Sequence, residues 1–116
     1  MKIEDIAKIC HQANKALCEI YGDKTQVSWE DAPAWQRDSS VQGVLFKIDN
    51  PHVTPAQMHE KWSENKRNEG WIYGPIKDSS FKTHPCLVAY TDLPVEQQAK
   101  DSLFMSIVEA LVNIQI

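Results

Sequence analysis

Apolar side chains recur at steps of three and four in three separate stretches of this chain, a capping box opens a fourth helical stretch, and the segment between Gly70 and Tyr90 follows no such period for long. That spacing gathers apolar groups on one side of a helix with 3.6 residues per turn, so the chain is constrained to a mainly helical fold. The first stretch, residues 2–21, carries Ile3, Ile6, Cys10, Ala13, Leu17 and Ile20 as a narrow stripe and stops at Gly22. The second runs from about Asp31 to Asp49 with Val41, Val44, Leu45 and Ile48 inward. Asp31 is placed to cap it, and Pro33 is tolerable in a first turn. Gly43 inside this helix costs about 1 kcal/mol against Ala, which points to a neighbour approaching closely.

The third start signal is Thr54–Pro55–Ala56–Gln57: Thr at the cap, Pro at the first helical position, and Gln three residues after the cap to close a capping box. In this helix Met58, Trp62 and Lys66 fall in one row, and Gly70 ends it. The fourth begins near Leu93–Pro94, with Asp92 as its cap, and runs almost to the C-terminus. Leu103, Ile107 and Leu111 form one row there, with Phe104, Val108 and Val112 beside it, giving a wide stripe for burial against the first helix. No internal repeat is expected along the chain.

Length and charge bound the function. A chain of 116 residues suits one domain, taken as 1–116, with one core. The net charge of −4 argues against a general DNA, RNA or membrane-surface binder, because those carry a basic excess. The start, MKIEDIAKICHQ, lacks the apolar run of an export signal, and no run approaches the length needed to span a bilayer. Cys10, Cys18 and Cys86 are therefore expected as free thiols of a cytoplasmic protein.

The exceptional stretch, GWIYGPIKDSSFKTHPCLVAY, is too long for an ordinary connection. Trp71–Tyr73 and Leu87–Tyr90 have strand-type side chains and could pair as a short β-hairpin or lie flat on the helices. The expected architecture is a compact four-helix unit with this hairpin or extended flap between the last two helices.

The run WSENKRNEGWIYGPIKDSSFKTHPCLVAYTDLP resembles the repeat domain of ryanodine receptors, the RyR domain. Trp62, Lys66, Gly70, Trp71, Tyr73, Gly74, Lys77, Asp78, His84, Pro85, Leu87, Val88, Tyr90, Leu93 and Pro94 carry the resemblance in that order. The upstream run SWEDAPAWQRDSSVQGV is similar to single-copy RyR-domain proteins of bacteria and their phages. The resemblance implies a helical unit with a few short strands, a regulatory and non-catalytic role, facing pairs of units, and in free-standing forms the sensing of nucleotide-like ligands. A homodimer is one way such a pair would form.

The residues themselves suggest a compatible chemistry. Trp62, Trp71 and Tyr73 could offer faces on which a base stacks, or fill a core. Lys66 and Lys77 could meet an anionic group, and His84 could donate a hydrogen bond to the ligand or pin the loop. These six form the expected ligand site. His84 and Cys86 flank Pro85, but nothing in the sequence orients them as a catalytic dyad. No catalytic residue, metal site or cofactor is expected; His59, His11, Cys10 and Cys18 lack zinc-binding spacing. The expected function is a binding module for an adenine nucleotide or ADP-ribose-type molecule. The alternative is a structural or protein-interaction domain.

Overall fold

The structure is a computed structural model describing residues 1–113. Four α-helices dominate it: α1 (Ile3–Ile20), α2 (Ala34–Asp49), α3 (Pro55–Asn68) and α4 (Val95–Leu111). Short 3-10 turns, Trp29–Asp31 and Tyr90–Asp92, precede α2 and α4. Two two-residue strands, β1 (Ile72–Tyr73) and β2 (Thr83–His84), lie between α3 and α4. The mainly helical architecture with an extended insert before the last helix is thus the observed one.

The strands differ in detail from a hairpin. They run parallel, with Ile72 opposite Thr83 and Tyr73 opposite His84. The reversal is made one step earlier, where Asp78 and Thr83 exchange both backbone hydrogen bonds at 3.0 Å. The Asp78 carboxylate also accepts from the N–H groups of Ser80 (2.8 Å) and Phe81 (3.2 Å), so the loop tip is internally bonded. Leu87–Tyr90 forms no strand: Leu87 is buried and Tyr90 opens a 3-10 turn.

The chain divides into two units, Met1–Val53 with the chain from Ser102 onward, and Thr54–Asp101. The first is built on apolar packing. Ile6, Ala7, Cys10, Trp29, Val44 and Val108 are its buried cluster, and Phe104, Ile107 and Leu111 pack against it. The inner row of the last helix is therefore centred on Val108 rather than Ile107. The stripe of α1 ends at the buried Cys18, and Ile20 at the helix end is 78% exposed. Gly43 has the anticipated close neighbour: a β-carbon there would stand 3.1 Å from the Phe104 ring. Lys47 is buried too, its ammonium held by Glu109 (2.9 Å) and the Pro51 carbonyl (2.7 Å). Burial pushes the Cys10 thiol up to about 12, which makes it a packing group.

The second unit begins with the expected cap. Thr54 Oγ1 accepts from Gln57 N–H at 3.2 Å while Gln57 Oε1 accepts from Thr54 N–H at 2.9 Å. Neither of the other expected caps forms. Asp31 and Asp92 each end a 3-10 turn, and α2 starts from Pro33 without a side-chain cap.

That shared failure exposes a repeat invisible as a fixed period. Val27–Ser28–Trp29–Glu30–Asp31–Ala32–Pro33 and Val88–Ala89–Tyr90–Thr91–Asp92–Leu93–Pro94 follow the same backbone path. Asp31 and Asp92 N–H donate to the residues three before them, at 3.0 and 2.9 Å. Ala32 and Leu93 are extended at (−70°, 140°) and (−74°, 142°). The carbonyls of Pro33 and Pro94 then accept the first bonds of α2 and α4. The helices before these turns also match. Gly22 and Gly70 stand eleven residues after His11 and His59. They end α1 and α3 at φ +91° and +94°, a conformation that favours glycine. Only the connection differs: four residues separate Gly22 from Val27, and seventeen separate Gly70 from Val88. The aromatic stretch is the insertion, and unequal spacing hides the repeat.

Candidate functional site in the second unit

α3 places His59, Ser63 and Arg67 one turn apart on one face, with Glu60, Glu64 and Asn68 beside them. Facing this stripe is the backbone of Val88–Ala89–Tyr90. Between them lies an open cavity of about 470 Å³, lined by these nine residues. The size falls within the range of small-molecule sites.

His59 anchors the inner wall. It is 4% exposed, and its Nε2–H donates to the Val88 carbonyl at 2.8 Å; a carbonyl can only accept, so the proton lies on Nε2. Ser63 Oγ, 3% exposed, accepts more weakly from the same N–H at 3.4 Å, which leaves the serine proton to be offered elsewhere. Among the described residues Glu60 and Arg67 make no ion pair.

Behind His59 a ladder of rings runs through the unit. His59 stacks on Trp62 with centroids 5.6 Å apart and touches Tyr90 at 6.1 Å. Trp62 meets the edge of His84 at 4.9 Å, and His84 meets Trp71 at 6.2 Å. Lys66 Nζ lies 5.2 Å from the centre of the Trp71 ring, a cation–π contact.

The six residues expected at the ligand site therefore fall into two sets. Trp62, Lys66, Trp71 and His84 come together as this ladder. Trp71 is 6% and Lys66 5% exposed, and Trp62 and His84 are half-buried. Tyr73, 57% exposed, and Lys77, also exposed, stand on the outer side of the insert. None of the six lines the α3 cavity. The predicted row Met58–Trp62–Lys66 does form one face of α3, but the cavity opens on the adjacent row. The signal for it was the polar run His59–Ser63–Arg67 at the same four-residue step. Tyr90, which closes the opposite wall, carried no signal of its own beyond the family pattern.

The electrostatics of the ladder follow from burial. Lys66 is pushed down from the ordinary lysine value chiefly by desolvation, against the pull of Glu69. Burial, then the positive charges of Lys77, Lys66 and Lys100, push His84 down to about 4. It is neutral at pH 7, with Nδ1 accepting from Cys86 N–H at 3.0 Å. Burial raises Asp101 to about 6 against the pull of His59 and Lys100. Cys86 is raised as well, and its thiol points at Gln97 Oε1, 3.6 Å away. The His84–Cys86 pair is thus a backbone-to-ring hydrogen bond, not a thiol–imidazole contact. Among the described residues no three His, Cys, Asp or Glu side chains gather to hold a metal ion, all three cysteines are free, and no helix is long and apolar enough to cross a membrane.

A helix ending in a glycine turn, a Gly-Trp and His-Pro insert with short strands, and a proline-started last helix define a small helical module of the ryanodine-receptor-repeat class. Residues 52–116 match the family model of the RyR domain, and the chain belongs to that family. The matched segment contains α3, the insert and α4.

Proposed function

We propose that this chain is a non-catalytic small-ligand binding or regulatory module whose ligand is nucleotide-like, an adenine nucleotide or an ADP-ribose-type molecule. The observation that carries the reading is the α3 cavity, with Tyr90 and His59 rings on its walls and an unpaired guanidinium, Arg67, at one end. A flat base fits against the rings, sugar hydroxyls find a carboxylate in Glu64, and Arg67 suits a phosphate. The lack of catalysis is supported by the chemistry of the nearby groups. Cys86 is held as a thiol, and His84 Nδ1 is already occupied by a backbone N–H.

Thermal unfolding with AMP, ADP-ribose and NAD at millimolar concentration tests the reading. A ligand at a hundredfold excess over its Kd stabilises the fold by about 2.7 kcal/mol. The Arg67→Ala variant should lose most of that shift without a change in its own melting. No shift with any of the three ligands would overturn the proposal.

One observation favours the alternative of a protein-interaction domain. Ile72, Tyr73, Ile76 and Phe81, all in the insert, are 57–79% exposed. Large apolar side chains held outward on an internally bonded loop suit a protein contact, a second copy of the chain included. Sedimentation of the parent and of Phe81→Ser separates the readings, since association through the insert would be lost in the variant.

A further inference from the structure

The two halves of the chain treat one backbone donor differently. In the first, Trp29 N–H donates to the side-chain carbonyl of Gln12 at 2.8 Å, and Gln12 directly follows the histidine that bonds the Val27 carbonyl (His11 Nε2 to Val27 O, 2.7 Å). In the second, His59 bonds the Val88 carbonyl in the same way, and the next residue is Glu60. Tyr90 stands where Trp29 stands, on the same backbone path, but its N–H has no acceptor among the described residues. A carboxylate and a carboxamide occupy matching helix positions, and only the carboxamide closes onto the turn. The space closed by Gln12 in the first half corresponds to the open cavity of the second, lined by both Glu60 and Tyr90.

We propose that the α3 cavity takes a planar group whose edge carries a hydrogen-bond acceptor beside an N–H donor, a carboxamide or a 6-aminopurine edge. Tyr90 N–H donates to the acceptor and the Glu60 carboxylate accepts from the donor. The ligand thereby supplies the acceptor that Gln12 supplies internally to Trp29, and its adjacent N–H satisfies the otherwise unpaired Glu60. Ser63, whose hydroxyl proton is not taken by His59, adds a second donor on the same wall. This inference rests on the ligand-binding reading above and narrows the ligand to one edge chemistry.

The test uses the full chain labelled with nitrogen-15, titrated with AMP and with nicotinamide mononucleotide, which separate the aminopurine from the carboxamide. Each has a partner lacking the edge: purine riboside monophosphate without the amino group, and nicotinic acid mononucleotide with a carboxylate. At least one probe should bind and move the Tyr90 amide resonance while leaving that of Trp29 in place. Its partner should bind about tenfold more weakly or worse. Without ligand, Tyr90 N–H should exchange with solvent at least about tenfold faster than Trp29 N–H. Glu60→Gln should close onto Tyr90 as Gln12 does on Trp29, protecting that amide and weakening binding by about tenfold or more, in a chain that keeps its dispersed spectrum. Binding that leaves the Tyr90 resonance unmoved, equal binding of the edge-deficient partners, a Tyr90 amide as protected as that of Trp29, or undiminished binding to Glu60→Gln would each overturn the inference while the cavity still stands as a site. If neither probe nor ADP-ribose binds at millimolar concentration, the ligand-binding reading itself fails, and the inference with it.

Discussion

The two halves share a frame and use it differently. Each has a helix carrying a histidine, a glycine stop, a Val–x–aromatic–x–Asp–x–Pro turn and a second helix. In the first half the connection is four residues long, Gln12 closes onto the turn, and the buried cluster is apolar, with the buried Lys47 ammonium beside it paired by Glu109 and the Pro51 carbonyl. In the second the connection is seventeen residues long, the turn is left open, and the buried groups include His59, Ser63 and Lys66. Apolar packing is non-directional, so the first half tolerates changes that keep volume. The ladder depends on ring angles, a neutral imidazole and a partly desolvated ammonium, so its stability is tied to pH and to particular atoms. Among the described residues the first half closes its turn donor internally, whereas the second leaves the Tyr90 N–H without an acceptor and Glu60 and Arg67 without an ion pair.

The sharpest way to break this contrast is to remove the ring at the end of the ladder. Trp71→Ala should cost about 4 kcal/mol in urea denaturation, because it takes the wall from both His84 and Lys66. A loss near 1 kcal/mol would reduce the ladder to a surface decoration. In the first half Ile6→Ala should cost about 3 kcal/mol, with the same penalty at pH 5 and pH 7, since the residue is 1% exposed within an apolar cluster. A penalty that varies with pH would show that the two cores are not of different kinds.

Acidification should act on the second half through two opposed groups. The folded-state value of His84 lies below its ordinary 6.5, so its neutral form contributes stability above that value, lost as pH falls toward 4. Asp101 is raised from 3.8 to about 6, so its protonated form contributes stability at low pH that is lost as pH rises through 6. The two nearly offset between pH 6 and pH 4. Asp101→Asn removes one side, and the variant should lose about 2 kcal/mol relative to the parent on going from pH 6.5 to pH 4, allowing for the exposed part of the Asp101 carboxyl. Parallel stability curves for parent and variant would remove the pH contrast.

The smallest effect compares the equivalent helix positions. Gln12→Ala strands a part-buried N–H and should cost about 1 kcal/mol, whereas Glu60→Ala breaks no internal bond and should stay within about 0.5 kcal/mol of the parent. Equal costs would mean that Glu60 already closes its own turn.

The helices, the capping box at Thr54, the approach to Gly43 and the family resemblance were all legible in the chain, because each rests on neighbours within a few residues or on the spacing of one stripe. The shared row of Trp62 and Lys66 on α3 was legible for the same reason. Their partners were not legible. Lys66 reaches over the Trp71 ring, and His84 wedges between the two tryptophans, through contacts that span up to twenty-two residues. Strand direction was decided by the closed loop at Asp78–Thr83, and the cavity by the meeting of α3 with Val88–Tyr90. Local periodicity determined which residues share a helix face. Only the folded chain determined which face stays open, because an unfilled hydrogen bond such as that of Tyr90 N–H depends on what distant residues fail to reach.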